Sequence, residues 1–409
     1  MSHRVVVTGM SSVSPLGEDW SDIFSHLKSC KNAIQHFPEW SEFEGLYTQL
    51  GAPAVFTDPG FSRKQMRGMG RVALLSVAAT QRALADAGLL DDPAIQDGSM
   101  GVSYGSSAGA EAGLIDFGNM LVNKSTGTLN ASSYIRMMAH TAPVNIGVFF
   151  KLKGRVITTS SACTSGSQGI GYAFEAIRDG KQRWMVAGGA EELSPSYAAV
   201  FDTLYAASTQ NDSPETTPRP FDVNRDGLVT GEGAGTLILE SLESAQARGA
   251  KIYAEIVGFA TNSDGSHITQ PNRETMQIAM EMALRDAKLD ANQIDYINAH
   301  GTATDRGDVA ESHATFNVFG SETPISSLKS YMGHTLGACG ALEAIFSINM
   351  MHEKWFSPTV NLTEIDPDCA PLDYIRGEGR DIDATYIMSN NFAFGGINTS
   401  LIFKRYESA

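Results

Sequence analysis

The chain has 409 residues, 42% hydrophobic and 19% charged, with 40 glycines and a net charge of −16. That composition suits a globular protein with a sizeable core, and the acidic balance argues against a general binder of nucleic acid or anionic membranes. The first elements read as a strand at residues 4–8 closed by Gly9, loop and helix over 12–32, and an irregular stretch over 37–61. A helix follows at about 70–87, stopped by Gly88, then a strand at 100–104 and mostly loop and helix over 106–153. Residues 208–219 read as a surface loop, 236–239 as a strand, and 252–258 as a further strand after a helix-turn unit. Cys30, Cys163, Cys339 and Cys369 are widely spaced, without a CxxC or zinc-type pattern, which fits a reducing compartment. The N-terminal apolar run is too short for a signal sequence and no stretch could span a bilayer, so a cytoplasmic location is expected.

The most informative stretch is GRVITTSSACTSGSQGIGYAFEAIRDG, from Gly154. A β-branched strand at 156–159 leads through small and hydroxyl residues into a helix starting near Ser165, which puts Cys163 at a helix N-terminus. Partial positive charge and free N–H groups there favour a thiolate and can hold an oxyanion. The alternative is a small buried thiol in a tight turn.

Internal similarity points to duplication. ALADAGL at 83–89 matches ALRDAKL at 283–289, AFEAI at 173–177 matches ALEAI at 341–345, and GAGTLIL at 233–239 resembles GGINTSLIF at 395–403. The middle match aligns Gly169 with Gly337 and Gly166 with His334. Two βαβαβ-type halves, 1–250 and 251–409, are therefore expected, with mainly parallel sheets and equivalent loops meeting at one place. Cys163 would then share a site with His334.

Two histidines lie in Gly-flanked turns of the second half, in NAHGTATDRGDVAE (298–311) and SSLKSYMGHTLGACGALEA (326–344), and NNFAFGGIN closes the chain at 390–398. Lys329 and Glu311 stand beside these turns, where they could tune an imidazole.

SSACTSG, HGTATDRGDVAE, KSYMGHTLGACGA and NFAFGGIN together resemble the successive motifs of elongating β-ketoacyl-acyl-carrier-protein synthases of the thiolase superfamily, and the resemblance spans essentially the whole chain. It implies a thiolase-like α/β fold with a layered α/β/α/β/α core, and a catalytic triad of Cys163, His300 and His334 supported by a charged pair, Lys329 and Glu311. It further implies Thr302 and Thr304 on a phosphopantetheine arm, Phe394 as gate and, through its N–H with that of Cys163, oxyanion hole. Phe201, Phe392 and Ala108 would contact substrate. The reaction implied is decarboxylative condensation of an acyl thioester with a malonyl thioester in fatty acid, polyene or polyketide synthesis. The carrier's pantetheine arm delivers the substrates, with no metal or other cofactor. Partners would be an acyl carrier protein, docked at the basic run Arg63, Lys64, Arg67 (with Arg71 nearby), and a second subunit in a homodimer or a heterodimer with a related chain.

Ala393, Asp305, Arg306, Tyr205 and Ala108 depart from residues common in that family, which suggests specialisation away from bulk elongation. Two other classes stay open at this point: a non-condensing chain-length partner, and a coenzyme A-dependent thiolase-type enzyme using Cys339. GSSAG around Ser107, the EF-hand-like DVNRDG at Asp222 and GEGAGT each fit a known motif only weakly.

Overall fold

The computed structural model describes residues 2–407, and the duplication is visible in the order of its strands. The first half contributes Val5–Val13, Met100–Gly105, Val156–Thr159, Trp184–Glu191 and Gly233–Ser241. The second contributes Ala254–Ser263, Tyr296–Asn298, Pro324–Ser326, Tyr386–Ala393 and Ile397–Arg405. Counted outward from the middle of one eleven-stranded sheet, both halves run first, fifth, fourth, second, third, and the short strand Asp373–Tyr374 extends the second half. The halves join where Val5–Val7 pair antiparallel with Ala254–Ile256.

The sheet is mixed rather than mainly parallel. The outer pairings in each half are parallel, whereas the fifth strand of each half runs antiparallel to both its neighbours. In the second half the cause is local: Tyr386–Ala393 and Ile397–Arg405 are joined by a turn of three residues, too short for a crossover. Helices Ser165–Arg178 and Cys339–Glu353 pack together and touch strands of both halves. Each is apolar or small nearly all round, which is why both form a buried middle layer. Arg71–Asp86 and Thr141–Phe150 cover the first half from outside. Arg273–Ala287, with Asp305–Phe319 beside it, covers the second. The resulting layers are α/β/α/β/α, and one core cluster draws on both halves.

Glycines hold these layers close. A Cβ on Gly9 would lie 2.4 Å from the carbonyl oxygen of Ala83 and 2.7 Å from the Cβ of Ala87. One on Gly258 would lie 2.5 Å and 2.9 Å from the same atoms of Ala283 and Ala287. Gly9 therefore does not close its strand, which continues to Val13; it admits the covering helix, and Gly258 does the same in the second half.

The middle helices correct the repeat register. The turn Ala162–Thr164 precedes one and Leu336–Ala338 the other, with Ala162 at φ 51° and Leu336 at φ 46°. A Cβ on Gly166 would meet the Ala341 nitrogen at 3.0 Å, and one on Gly340 would meet the Ser167 nitrogen at 2.7 Å. That reciprocity pairs Gly166 with Gly340 and Cys163 with Gly337. The AFEAI/ALEAI match is six residues out of register, because the two motifs fall at different depths along their helices.

Candidate active site

The hydroxyls of SSACTS build the turn that presents Cys163. Ser165 Oγ donates to the Ala162 carbonyl (2.7 Å) and accepts from Ser161 N–H (3.0 Å), and Thr164 Oγ1 donates to the Ser161 carbonyl (2.7 Å). Ala162 sits in the left-handed region, a conformation that costs energy in a non-glycine residue and that this hydroxyl network holds. Cys339, first residue of the second middle helix, places its Sγ 3.2 Å from the Cys163 carbonyl oxygen.

His334 Nε2 lies 3.0 Å from Cys163 Sγ, and the Leu336 N–H donates to Nδ1 at 3.3 Å. With a lone pair committed at Nδ1, the ring proton resides on Nε2 and points at the sulfur. The His300 ring stands 5.2 Å from that of His334, nearly perpendicular at 85°. One donor atom of each of Cys163, His300 and His334 lies within 4.8 Å of the others. All three face a cavity of about 470 Å³ that Thr302, Thr304, Phe201, Phe392 and Phe394 also line.

Burial pushes the Cys163 thiol up to about 11, against the pull of the Phe394 N–H, the Lys329 cation and its own N–H. The helix terminus alone predicts a thiolate; desolvation outweighs it, so the resting group is a thiol. Burial and the Lys329 charge hold both imidazoles well below the ordinary histidine range, so each is neutral at pH 7.

Lys329 does not pair with Glu311. Its Nζ bonds Glu343 Oε1 at 2.5 Å, both side chains fully buried, and Asn391 Nδ2 donates to the other oxygen at 2.8 Å. Glu311 serves the histidine loop instead. On the first turns of helix Asp305–Phe319, Asp308 and Glu311 stand three residues apart and face the preceding loop. Glu311 accepts the N–H groups of His300 and Gly301 (both 2.7 Å), and Asp308 those of Thr302 (3.0 Å) and Ala303 (3.2 Å). Two carboxylates thus fix four consecutive backbone groups of HGTA. Burial pushes Glu311 up to about 8 and Asp308 up to about 6.

The Phe201 ring sits 6.5 Å from His334 and 5.5 Å from Phe394, and Phe392 sits 6.2 Å from His300. Thr302 and Thr304 bring their hydroxyls to 2.9 Å of each other. Ala108 does not line the cavity; it packs in the apolar cluster of Tyr197, Phe201 and Leu336, which Phe394 also joins. The turn after Phe394 is tied down by Gly395 N–H on the Ile268 carbonyl and Asp264 N–H on that of Gly396. Arg63, Lys64 and Arg67 are exposed and away from the cavity, while Arg71 is engaged by Glu232. Tyr205, 91% exposed, and Arg306 both line the cavity.

The weak motifs resolve structurally. Ser107 gives both its N–H and its hydroxyl to Glu191, and Asp222 takes N–H groups from Thr363, Glu364 and Asn224. Nothing in the sequence marks Glu343, Asn391 or Glu191 as partners of the site, whereas the three-residue spacing of Asp308 and Glu311 behind HGTA is a readable signal of paired loop-holding carboxylates.

Residues 2–245 match the family described as "Beta-ketoacyl synthase, N-terminal domain", and residues 253–363 match "Beta-ketoacyl synthase, C-terminal domain". The 3-oxoacyl-[acyl-carrier-protein] synthase 1 of Haemophilus influenzae is 37% identical over 99% of this chain and 100% of its own length. A solved β-ketoacyl synthase from Burkholderia phymatum superposes with a TM-score of 0.98 at 60% identity, over 99% of this chain and 100% of that one. A type II polyketide ketosynthase bound to a hexaketide, solved in complex with its acyl-carrier protein, superposes with a TM-score of 0.88 at 29% identity, over the full length of both chains.

Proposed function

The chain belongs to the β-ketoacyl synthase family, and from that premise we propose that it condenses a Cys163-bound acyl group with a malonyl thioester carried by an acyl carrier protein. One arrangement carries the reading: a buried cysteine that receives an N–H from one neutral imidazole, with a second neutral imidazole in the same cavity.

Cys163 attacks the acyl thioester; its thiol proton leaves with the carrier thiol, and a thioester on Cys163 remains. The malonyl thioester then places its carbonyl between His300 and His334. Carbon dioxide departs, and N–H donation from the two rings stabilises the enolate. The enolate carbon attacks the acyl carbonyl, whose oxyanion takes the N–H groups of Cys163 and Phe394. Collapse breaks the bond between the acyl carbon and the Cys163 sulfur and releases the β-ketoacyl thioester, and the Cys163 thiolate takes a proton from solvent. Burial, with the charge of Lys329 held by Glu343, keeps the imidazoles neutral, and Asp308 and Glu311 hold the His300 loop. Thr302 and Thr304 would bind the pantetheine arm, and Phe201 and Phe392 the acyl side, with Ala108 packed behind Phe201. No step needs a metal or redox cofactor, and with its proton on Nε2 the His334 ring offers the sulfur side a donor rather than a metal-ligating lone pair.

A thiolase-type reading needs a second cysteine in the cavity. Cys339 instead turns to the Cys163 backbone. A non-condensing partner would have no use for the complete Cys-His-His set.

Dimerisation is supported by the free edge of strand Val156–Thr159 and by exposed Leu121, Val122, Tyr134 and Val148. Mass measurement of the purified complex distinguishes a second copy from a related chain. Among the described residues no helix is long and apolar enough to cross a membrane.

Carrier docking gives the test of substrate class. Arg63, Lys64 and Arg67 present positive charge to an acidic carrier. Reversal as Lys64→Glu with Arg67→Glu should slow turnover of carrier-bound substrate, most at low salt, and leave pantetheine thioesters unaffected. Equal losses with both substrates would remove the docking assignment. A wild type that turns over malonyl-coenzyme A but not malonyl-carrier would remove the carrier altogether.

A further inference from the structure

Glu191 ends strand Trp184–Glu191, fully buried, and the mechanism above leaves it without a role. Its donors are all uncharged. Ser106 Oγ (3.0 Å), Ser107 N–H (2.8 Å) and the Ser107 hydroxyl come from the turn after strand Met100–Gly105, and Gly337 N–H (3.2 Å) comes from the turn after His334. The first turn carries Ala108, which packs with Phe201, Leu336 and Phe394. The second carries Leu336, whose N–H fixes the His334 ring.

Gly337 is pinned from both sides. Its carbonyl oxygen lies 2.2 Å from where a Cβ on Gly189 would fall and 2.9 Å from where one on Gly166 would, and a Cβ on Gly337 itself would lie 2.8 Å from Glu191 Oε2. A carboxylate kept under such burial, which pushes it up to about 7, is costly unless its hydrogen bonds matter to the fold or the chemistry.

We propose that Glu191 is a positioning residue for His334, acting through the Gly337 and Leu336 backbone and tying that histidine to the turn on the acyl side. The contact chain is continuous: the Ser106 and Ser107 hydroxyls, the carboxylate, the Gly337 amide, and the Leu336 amide on Nδ1. This rests on His334 acting in malonyl decarboxylation.

A double-mutant cycle tests it, with malonyl-carrier decarboxylation as the readout. Glu191→Gln keeps the side-chain volume but removes an acceptor. In the wild-type background it should lower kcat about tenfold, the scale of one misplaced hydrogen bond, with KM little changed. In the His334→Ala background the same substitution should cost less than about twofold, because the residue through which it acts is gone. Gly337→Ala, which wedges the two turns apart while leaving the carboxylate in place, should repeat the pattern and stands in if Glu191→Gln does not fold. Equal losses in both backgrounds, or no loss in the first, overturn the proposal alone. A wild type without any decarboxylation overturns the reading beneath it and the proposal together.

Discussion

Cys163→Ala is expected to abolish acyl transfer and condensation while malonyl decarboxylation stays measurable. The sulfur is the one nucleophile in the cavity placed against an imidazole N–H, and no neighbouring group can form the acyl-enzyme in its place. Cys339 places its Sγ against the Cys163 carbonyl and does not line the cavity, and the Ser107 hydroxyl is held by Glu191. The imidazole pair proposed to stabilise the enolate stays intact in this variant. Replacing a buried thiol by a methyl group leaves only a small void, so the fold should persist. Separate assays of carbon dioxide release and β-keto product check the division of labour; condensation surviving in Cys163→Ala would show the nucleophile to be another residue.

The second large effect belongs to the histidines. His300→Ala and His334→Ala should each depress decarboxylation by about 10²–10³-fold, the cost of losing one donor to a developing oxyanion. The two differ in a second readout. His334 touches the sulfur and His300 does not, so His334→Ala should also slow acyl loading of Cys163, whereas His300→Ala should load nearly as wild type. The pH dependence follows from the same burial. Folded-state values well below 6.5 keep both rings neutral as pH falls through the ordinary histidine range, and the neutral form gives way to imidazolium only below the depressed values. The imidazole signals of His300 and His334 in Cys163→Ala should therefore show no titration around pH 6.5 by NMR, a readout of the rings themselves that the neighbouring carboxyls of Asp308, Glu191 and Glu311, at about 6, 7 and 8, do not mimic. A ring midpoint there would mean that the rings are solvated and titrate normally.

What the sequence made legible was local. Cys163, His300 and His334 each announce themselves by a Gly-flanked turn after a strand, and the ALADAGL/ALRDAKL match marks helices that pack on Gly9 and Gly258 alike. What it hid depends on which element lies against which. Glu343 sits in a helix that reads as apolar, fourteen residues from Lys329, and becomes its partner only once that helix is buried between the sheet halves. Glu311, near Lys329 in motif order, was claimed by backbone N–H groups that a sequence does not show unpaired. The AFEAI/ALEAI match misled because five residues of middle-layer helix look alike at any depth, and the start of each helix, not its composition, sets the register. The thiol's resting state is hidden for a related reason: helix-terminus chemistry can be read from a strand-turn-helix pattern, whereas the desolvation that opposes it appears only when the layers close.

Intact-protein mass spectrometry after mixing with an acyl-carrier thioester, in the absence of malonyl substrate, tests the central claim most directly. The wild type should gain one acyl mass that peptide mapping assigns to Cys163 and that added malonyl-carrier discharges as β-keto product. An acyl group on any other residue, or condensation without a covalent adduct, would contradict the account.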